Sequence, residues 1–434
     1  MNSDADAPRL TGLITYATIA TAIVALLLLT NWPTYQYEVR GGPIPLYFYA
    51  LPAVLIIPML FADPGSAVRF LRDPLFWWFV VFVVIGLFSL LLAQDFMENA
   101  ARQWRLRLLA LMFFYTITIL ASGSQRRLIG WVMVGCVLLA CALCWFDVLR
   151  PGRIVPQGIE GSSERGAGLF INPNIAGSFI VMGTIAALPM IPSRLRGLLL
   201  VAAVFGVAGT FSRGAFVMVT IAMAGMIWLK LVKRAQGMVL VLALPVLVGG
   251  VSLAYDYAID TSENRHVKGV VERLNWFRDT AEEDSAVEGR KWGAKRAWEA
   301  FLDSPAIGNG IGATSLAVDL DGPHNMYLML MAEHGIFGFL LYISLCALLV
   351  RQGRSVARWA RSVRDRDIGN SMALFGMALA VYGFFSHNVL EDPFTVFLMA
   401  FLTAAAFGAR RVATADARRY VRPRTVARDA ATPV

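Results

Sequence analysis

The sequence predicts an all-α polytopic membrane protein, and three observations carry that class. Of 434 residues, 57% are hydrophobic and only 16% are charged. The mean hydropathy of +0.59 lies well above that of soluble domains. Twelve apolar runs come close to the ~20 residues that span a bilayer, and the polar residues between them are concentrated in one long segment, 258–323.

Taken in order, the acidic start Met1 to Arg9 has no secretory cleavage pattern, so the apolar run 11–31 is expected to persist as a signal-anchor helix. Runs at 44–62, 74–94, 105–122, 128–148, 173–192, 195–211, 214–232 and 237–257 complete nine spans within residues 1–257. Residues 258–323 then form a large loop, expected to fold as a lid. Inside it, Trp292, Ala297, Trp298 and Phe301 recur at helical spacing, and Asp303-Ser304-Pro305 stops that short amphipathic helix. The glycine run Ile307-Gly308-Asn309-Gly310-Ile311-Gly312 has no dinucleotide unit around it and is expected to be a tight turn. Three more spans, at 325–350, 371–388 and 392–409, fill residues 324–409, and 410–434 is a basic tail.

Twelve spans put both termini on one side. Arg351, Arg354, Arg358, Arg361, Arg364, Arg366 and the tail arginines Arg410, Arg411, Arg418 and Arg419 mark that side as cytoplasmic. The 258–323 loop then faces outward. Arg102, Arg105 and Arg107 fall on the outer side too, where contact with lipid headgroups is expected. The tail is expected to lie against anionic lipid. The net charge of +9 does not imply nucleic acid, since no basic domain with interleaved aromatics accompanies it. Cys136, Cys141, Cys144 and Cys346 all sit in apolar runs and read as small core residues.

Chemistry is expected where the polar loop meets the next span, at Gly322-Pro323-His324-Asn325-Met326-Tyr327. Pro323 suits the first turn of a helix, which would place His324 and Asn325 among unpaired backbone donors. That helix end attracts anions and would set His324 to take a proton from a substrate hydroxyl. The alternative is a capping His-Asn pair with no chemistry. Arg213, in a turn between two spans, Arg290, in the loop, and His387-Asn388 with Glu391 and Asp392, between the last two spans, share the outer face. Taken singly they are a snorkelling arginine, a solvated charge and a capped turn. Together they suit a lipid-linked diphosphate, because guanidinium groups bind phosphate oxygens through charge-assisted forks. No Asp/Glu/His grouping with metal-ligand spacing is apparent on that face, so no metal and no other cofactor is expected.

The motifs Phe170-Ile171-Asn172-Pro173-Asn174, Ser212-Arg213-Gly214-Ala215, Gly289-Arg290, Pro305 to Gly312, His324-Asn325 and Gly335 resemble those of the O-antigen ligase and polymerase superfamily, over residues 165–340. The His324 to Gly335 spacing is similar to that of lipopolysaccharide O-antigen ligases. The resemblance implies a GT-C-like glycosyltransferase of the bacterial inner membrane. Its donor would be an undecaprenyl diphosphate-linked O-antigen and its acceptor lipid A-core oligosaccharide, joined at the periplasmic face. His324 would be the base, Arg213 and Arg290 would hold the diphosphate, and Arg265, Asn325 and Asn174 would assist. An O-antigen polymerase, an O-linked protein oligosaccharyltransferase and, from another class, a lipid or glycan transporter stay open as alternatives.

Overall fold

The computed structural model describes residues 3–42, 48, 50–92, 97–156, 165–233, 236, 285–315 and 322–421. Among them the regular structure is entirely helical. The first helices are α1 (Ser3–Leu29), α2 (Trp32–Arg40), α3 (Leu51–Leu55), α4 (Ile57–Ala62), α5 (Pro64–Phe70), α6 (Pro74–Leu90), α7 (Met97–Gly123) and α8 (Arg126–Leu149). They are followed by α9 (Pro173–Ala187), α10 (Ser193–Thr210), α11 (Arg213–Trp228), α12 (Ser285–Asp303), α13 (Met326–Trp359), α14 (Val363–Tyr382) and α15 (Pro393–Val421).

Seven helical stretches among the described residues are long and apolar enough to cross a membrane, which makes the chain a polytopic helical membrane protein. They lie at Thr11–Leu29, Met97–Gly123, Arg126–Leu149, Pro173–Met190, Ser193–Thr210, Met326–Trp359 and Pro393–Arg410. The expected runs at 44–62, 74–94 and 214–232 form shorter apolar helices, Leu51–Ala62, Pro74–Leu90 and Arg213–Trp228. In the first, Pro52 and Pro58 deny the backbone two donors, and the helix divides at Ile56. The run at 371–388 falls largely within α14, and 237–257 lies outside the described residues.

Close backbone approach holds the bundle where lipid supplies no hydrophobic drive between helices. α13 and α14 meet at Gly353 and Gly369: a Cβ on Gly353 would stand 2.5 Å from the Gly369 carbonyl oxygen. Aromatic stacks fill the remaining space, Phe79 on Phe114 and Phe170 on Phe179. At one end, buried Arg196 pairs with Asp367 at 2.7 Å and also donates to the Leu231 carbonyl. All four cysteines are buried free thiols.

Candidate functional site

The site is assembled from the start of α13. Asn325 has an extended backbone and its side-chain oxygen accepts the Leu328 N–H at 3.1 Å, so Asn325 is the N-cap and Met326 the first helical residue. The expectation that Pro323 occupies the first turn is therefore corrected. Asparagine is among the strongest caps, and the Met326 N–H is already satisfied by the Gly383 carbonyl at 2.8 Å. Pro323 is buried in the connection, and half-buried His324 stands just ahead of the helix with φ 46°, a left-handed conformation uncommon outside glycine. The His324 ring meets that of His387 edge to face, with centroids 5.4 Å apart and planes at 74°. His387 is remote in sequence and was expected to lie in a separate turn, yet folding brings it onto His324.

A second group forms where α9 and α11 begin. Asn172 caps α9, accepting the Asn174 N–H at 2.8 Å, and Ser212 caps α11 through the Ala215 N–H. The Asn174 side-chain oxygen accepts from both the Arg165 guanidinium, at 2.9 Å, and the Ser212 hydroxyl, at 2.8 Å. Arg165 also donates to the Thr210 carbonyl at 3.2 Å, so the guanidinium is tied to the end of α10, three residues before Arg213 opens α11. Next along, Gly214 packs so closely on Phe385 that a Cβ would come within 2.9 Å of the ring. Phe385 precedes the turn that carries His387, so the two groups belong to one end of the bundle.

The third part is a break in α13. Gly335 has φ 62° and ψ −152°, a non-helical conformation inside the helix, which orphans backbone groups on either side. The glycine run repairs them. The N–H groups of Asn309 and Gly310 donate to the carbonyls of Ala332 and Glu333 at 2.9 and 3.1 Å, and the Ile336 N–H donates to the Pro305 carbonyl at 2.9 Å. A turn here matches the sequence expectation, and its task is to seal a broken helix.

Residues 198–343 match the family model for O-antigen ligase. Over that segment the chain is similar to the O-antigen ligases. No curated protein matches the chain. The O-antigen ligase segment contains Arg213, Arg290, His324, Asn325 and Gly335, whereas Asn174, Arg165 and His387 lie outside it and join by folding alone.

Not every expected residue converges on this candidate site. Arg290 is exposed on α12, which packs along α13, and none of its contacts among the described residues ties it to the histidine pair. Arg265 lies outside the described residues.

Sequence reasoning missed the buried charges beside the break. Arg107 is 2% exposed and donates to Glu333 and to His334 Nε2, each at 2.6 Å, while its guanidinium lies 4.5 Å over the Phe82 ring. The other Glu333 oxygen accepts the Gly312 N–H at 2.8 Å. Contact with lipid headgroups is thus corrected for Arg107: α7 begins at Met97, eight residues before the expected run, so Arg107 lies inside the helix and turns toward α13. An arginine two residues into an apolar run was the available signal, because such a charge needs a partner. Half-buried Glu391 joins this field. Burial pushes its carboxyl up to about 7, with Arg107 opposing and Glu333 reinforcing the shift. Asp392 is likewise pushed up to about 7 by burial, against the hydrogen bond it accepts from the Tyr382 hydroxyl at 2.6 Å.

Proposed function

We propose that this protein transfers an O-antigen glycan from undecaprenyl diphosphate to lipid A-core oligosaccharide, at the periplasmic face of the bacterial inner membrane, without metal or nucleotide. The observation that carries the reading is that His324, at the start of α13 inside a segment matching the O-antigen ligase model, meets His387, and Phe385 two residues earlier packs on Gly214 next to Arg213 at the start of α11. The full architecture we infer is GT-C-like with twelve spans, both termini cytoplasmic, and the 258–323 segment over the site.

In this reading His324 removes the proton from the acceptor hydroxyl as its oxygen attacks the anomeric carbon. The bond from that carbon to the diphosphate breaks on the opposite side, the electron pair leaves with the phosphate, and configuration inverts in one step. Arg213 and Arg165 face the developing charge with fork-shaped donors. Arg290 and Arg265 would reach the diphosphate from the lid. Asn174 would act through the Arg165 and Ser212 it already holds, and Asn325 through its amide nitrogen, its oxygen being the cap of α13.

Two measurements test this. In a deletion strain, loss of the whole O-antigen ladder is expected for a ligase, whereas retention of a single capped repeat would indicate a polymerase. In purified enzyme, His324→Asn is expected to lower turnover by about 10²–10⁴ with donor binding retained, the range for loss of a positioned base. Near-normal ligation by that variant would reduce His324 to a structural turn residue.

A further inference from the structure

The left-handed backbone at His324 needs an external hold, because a non-glycine residue at positive φ is strained and persists only when its surroundings fix it. From the helix side the hold is visible: Asn325 is tied to Leu328 and Met326 to Gly383. On the other side stands a ring. His387 stands edge to face against His324, and Gly322 also comes so near that an added Cβ would lie 3.0 Å from His387 Nε2 and 3.2 Å from two ring carbons. The imidazole of His387 therefore packs against both the residue two before His324 and the His324 ring itself. Its own placement is firm, since Glu391 and Asp392 N–H groups both donate to the Asn388 carbonyl, at 2.8 and 2.9 Å, and Phe385 packs on Gly214 at the start of α11.

We propose that His387 is a positioning residue for the transfer reaction: its ring, packed against both Gly322 and His324, sets the angle at which His324 meets the acceptor hydroxyl. The proposal rests on the reading of His324 as the base. It assigns the effect to the shape of the ring and to no proton on it, and it links the base to the start of α11 through Phe385, so that base and diphosphate site share one frame. Misplacement of a reacting group by about 1 Å is enough to cost on the order of a hundredfold in rate.

The test uses the full-length protein in proteoliposomes, with polyprenyl diphosphate-linked glycan as donor and lipid A-core as acceptor. His387→Ala is expected to lower kcat about 10- to 100-fold with the donor KM unchanged. His387→Phe, which retains a ring, is expected to restore kcat to within about fivefold of the parent. Gly322→Ala, which crowds the His387 ring while leaving every side chain of the site in place, is expected to lower kcat in the same sense and supplies the answer if His387→Ala fails to fold. Full activity of His387→Ala overturns the proposal, and so does a His387→Phe variant as slow as the alanine variant. His324→Asn is assayed alongside. Normal turnover there removes the base assignment and this proposal with it, whereas an inactive His324→Asn beside a fully active His387→Ala overturns the positioning role alone.

Discussion

At the scale of single residues the proposed function divides the site into groups that would face substrate and groups that would fix them. Arg213 opens α11 directly after a serine cap, so its guanidinium is carried by a helix start whose first donors are already organised. Arg213→Ala is expected to remove a charge-assisted contact of about 1.5–3 kcal/mol, one to two decades in affinity or rate. Arg213→Lys should recover only part of it, because an ammonium lacks the fork. Full activity of the alanine variant at limiting donor would end the phosphate role. Glu391 makes a different prediction. Its carboxyl is raised from 4.5 to about 7 in the folded chain, so between those values the folded state binds more protons than the unfolded one. Its contribution to stability is therefore full below about 4.5 and declines as pH rises through about 7. Melting temperatures in detergent should fall over that window, and less steeply in Glu391→Gln. Equal slopes in the two proteins would show that Glu391 does not titrate there.

At the scale of elements, the junction between α13 and residues 305–312 explains why a membrane helix tolerates a break. The carbonyls of Ala332 and Glu333 and the N–H of Ile336, which flank Gly335, have partners on the loop, and Glu333 ties the same loop to α7 through Arg107. Glycine is required at the break itself. A Cβ on Gly335 would stand 2.5 Å from the Ala306 carbonyl and 2.7 Å from that of Pro305, in a φ/ψ region that side chains rarely adopt. Gly335→Ala is expected to destabilise the protein by on the order of 1–3 kcal/mol or more, read as a lower melting temperature. An unchanged melting temperature would mean that the loop and helix separate freely.

At the scale of the whole molecule, the outward placement of α12 and the histidine pair awaits a direct measurement. The four native thiols are buried, so a single cysteine placed at exposed Asp303 reports on its own position. Asp303→Cys in intact spheroplasts is expected to react with a membrane-impermeant maleimide. Labelling only after lysis would invert the topology and move the site to the other face.

What the sequence determined by itself follows from local rules. Apolar runs of bilayer length imply spanning helices whatever their neighbours, so the helical membrane class was legible, as were the 305–312 turn and the motif residues of the O-antigen ligase segment. Helix ends were less legible, because Asn325 rather than Pro323 opens α13 and α7 starts early enough to carry Arg107 inward. Only tertiary structure decided which distant residues meet. His324 and His387 are joined across 63 positions, Arg107 and Glu333 across 226, and Asn174 and Ser212 across 38. No periodicity encodes such pairings. They arise because buried charges and orphaned backbone groups in a low-dielectric bundle must find partners, and the packing of the helices fixes which partners are within reach.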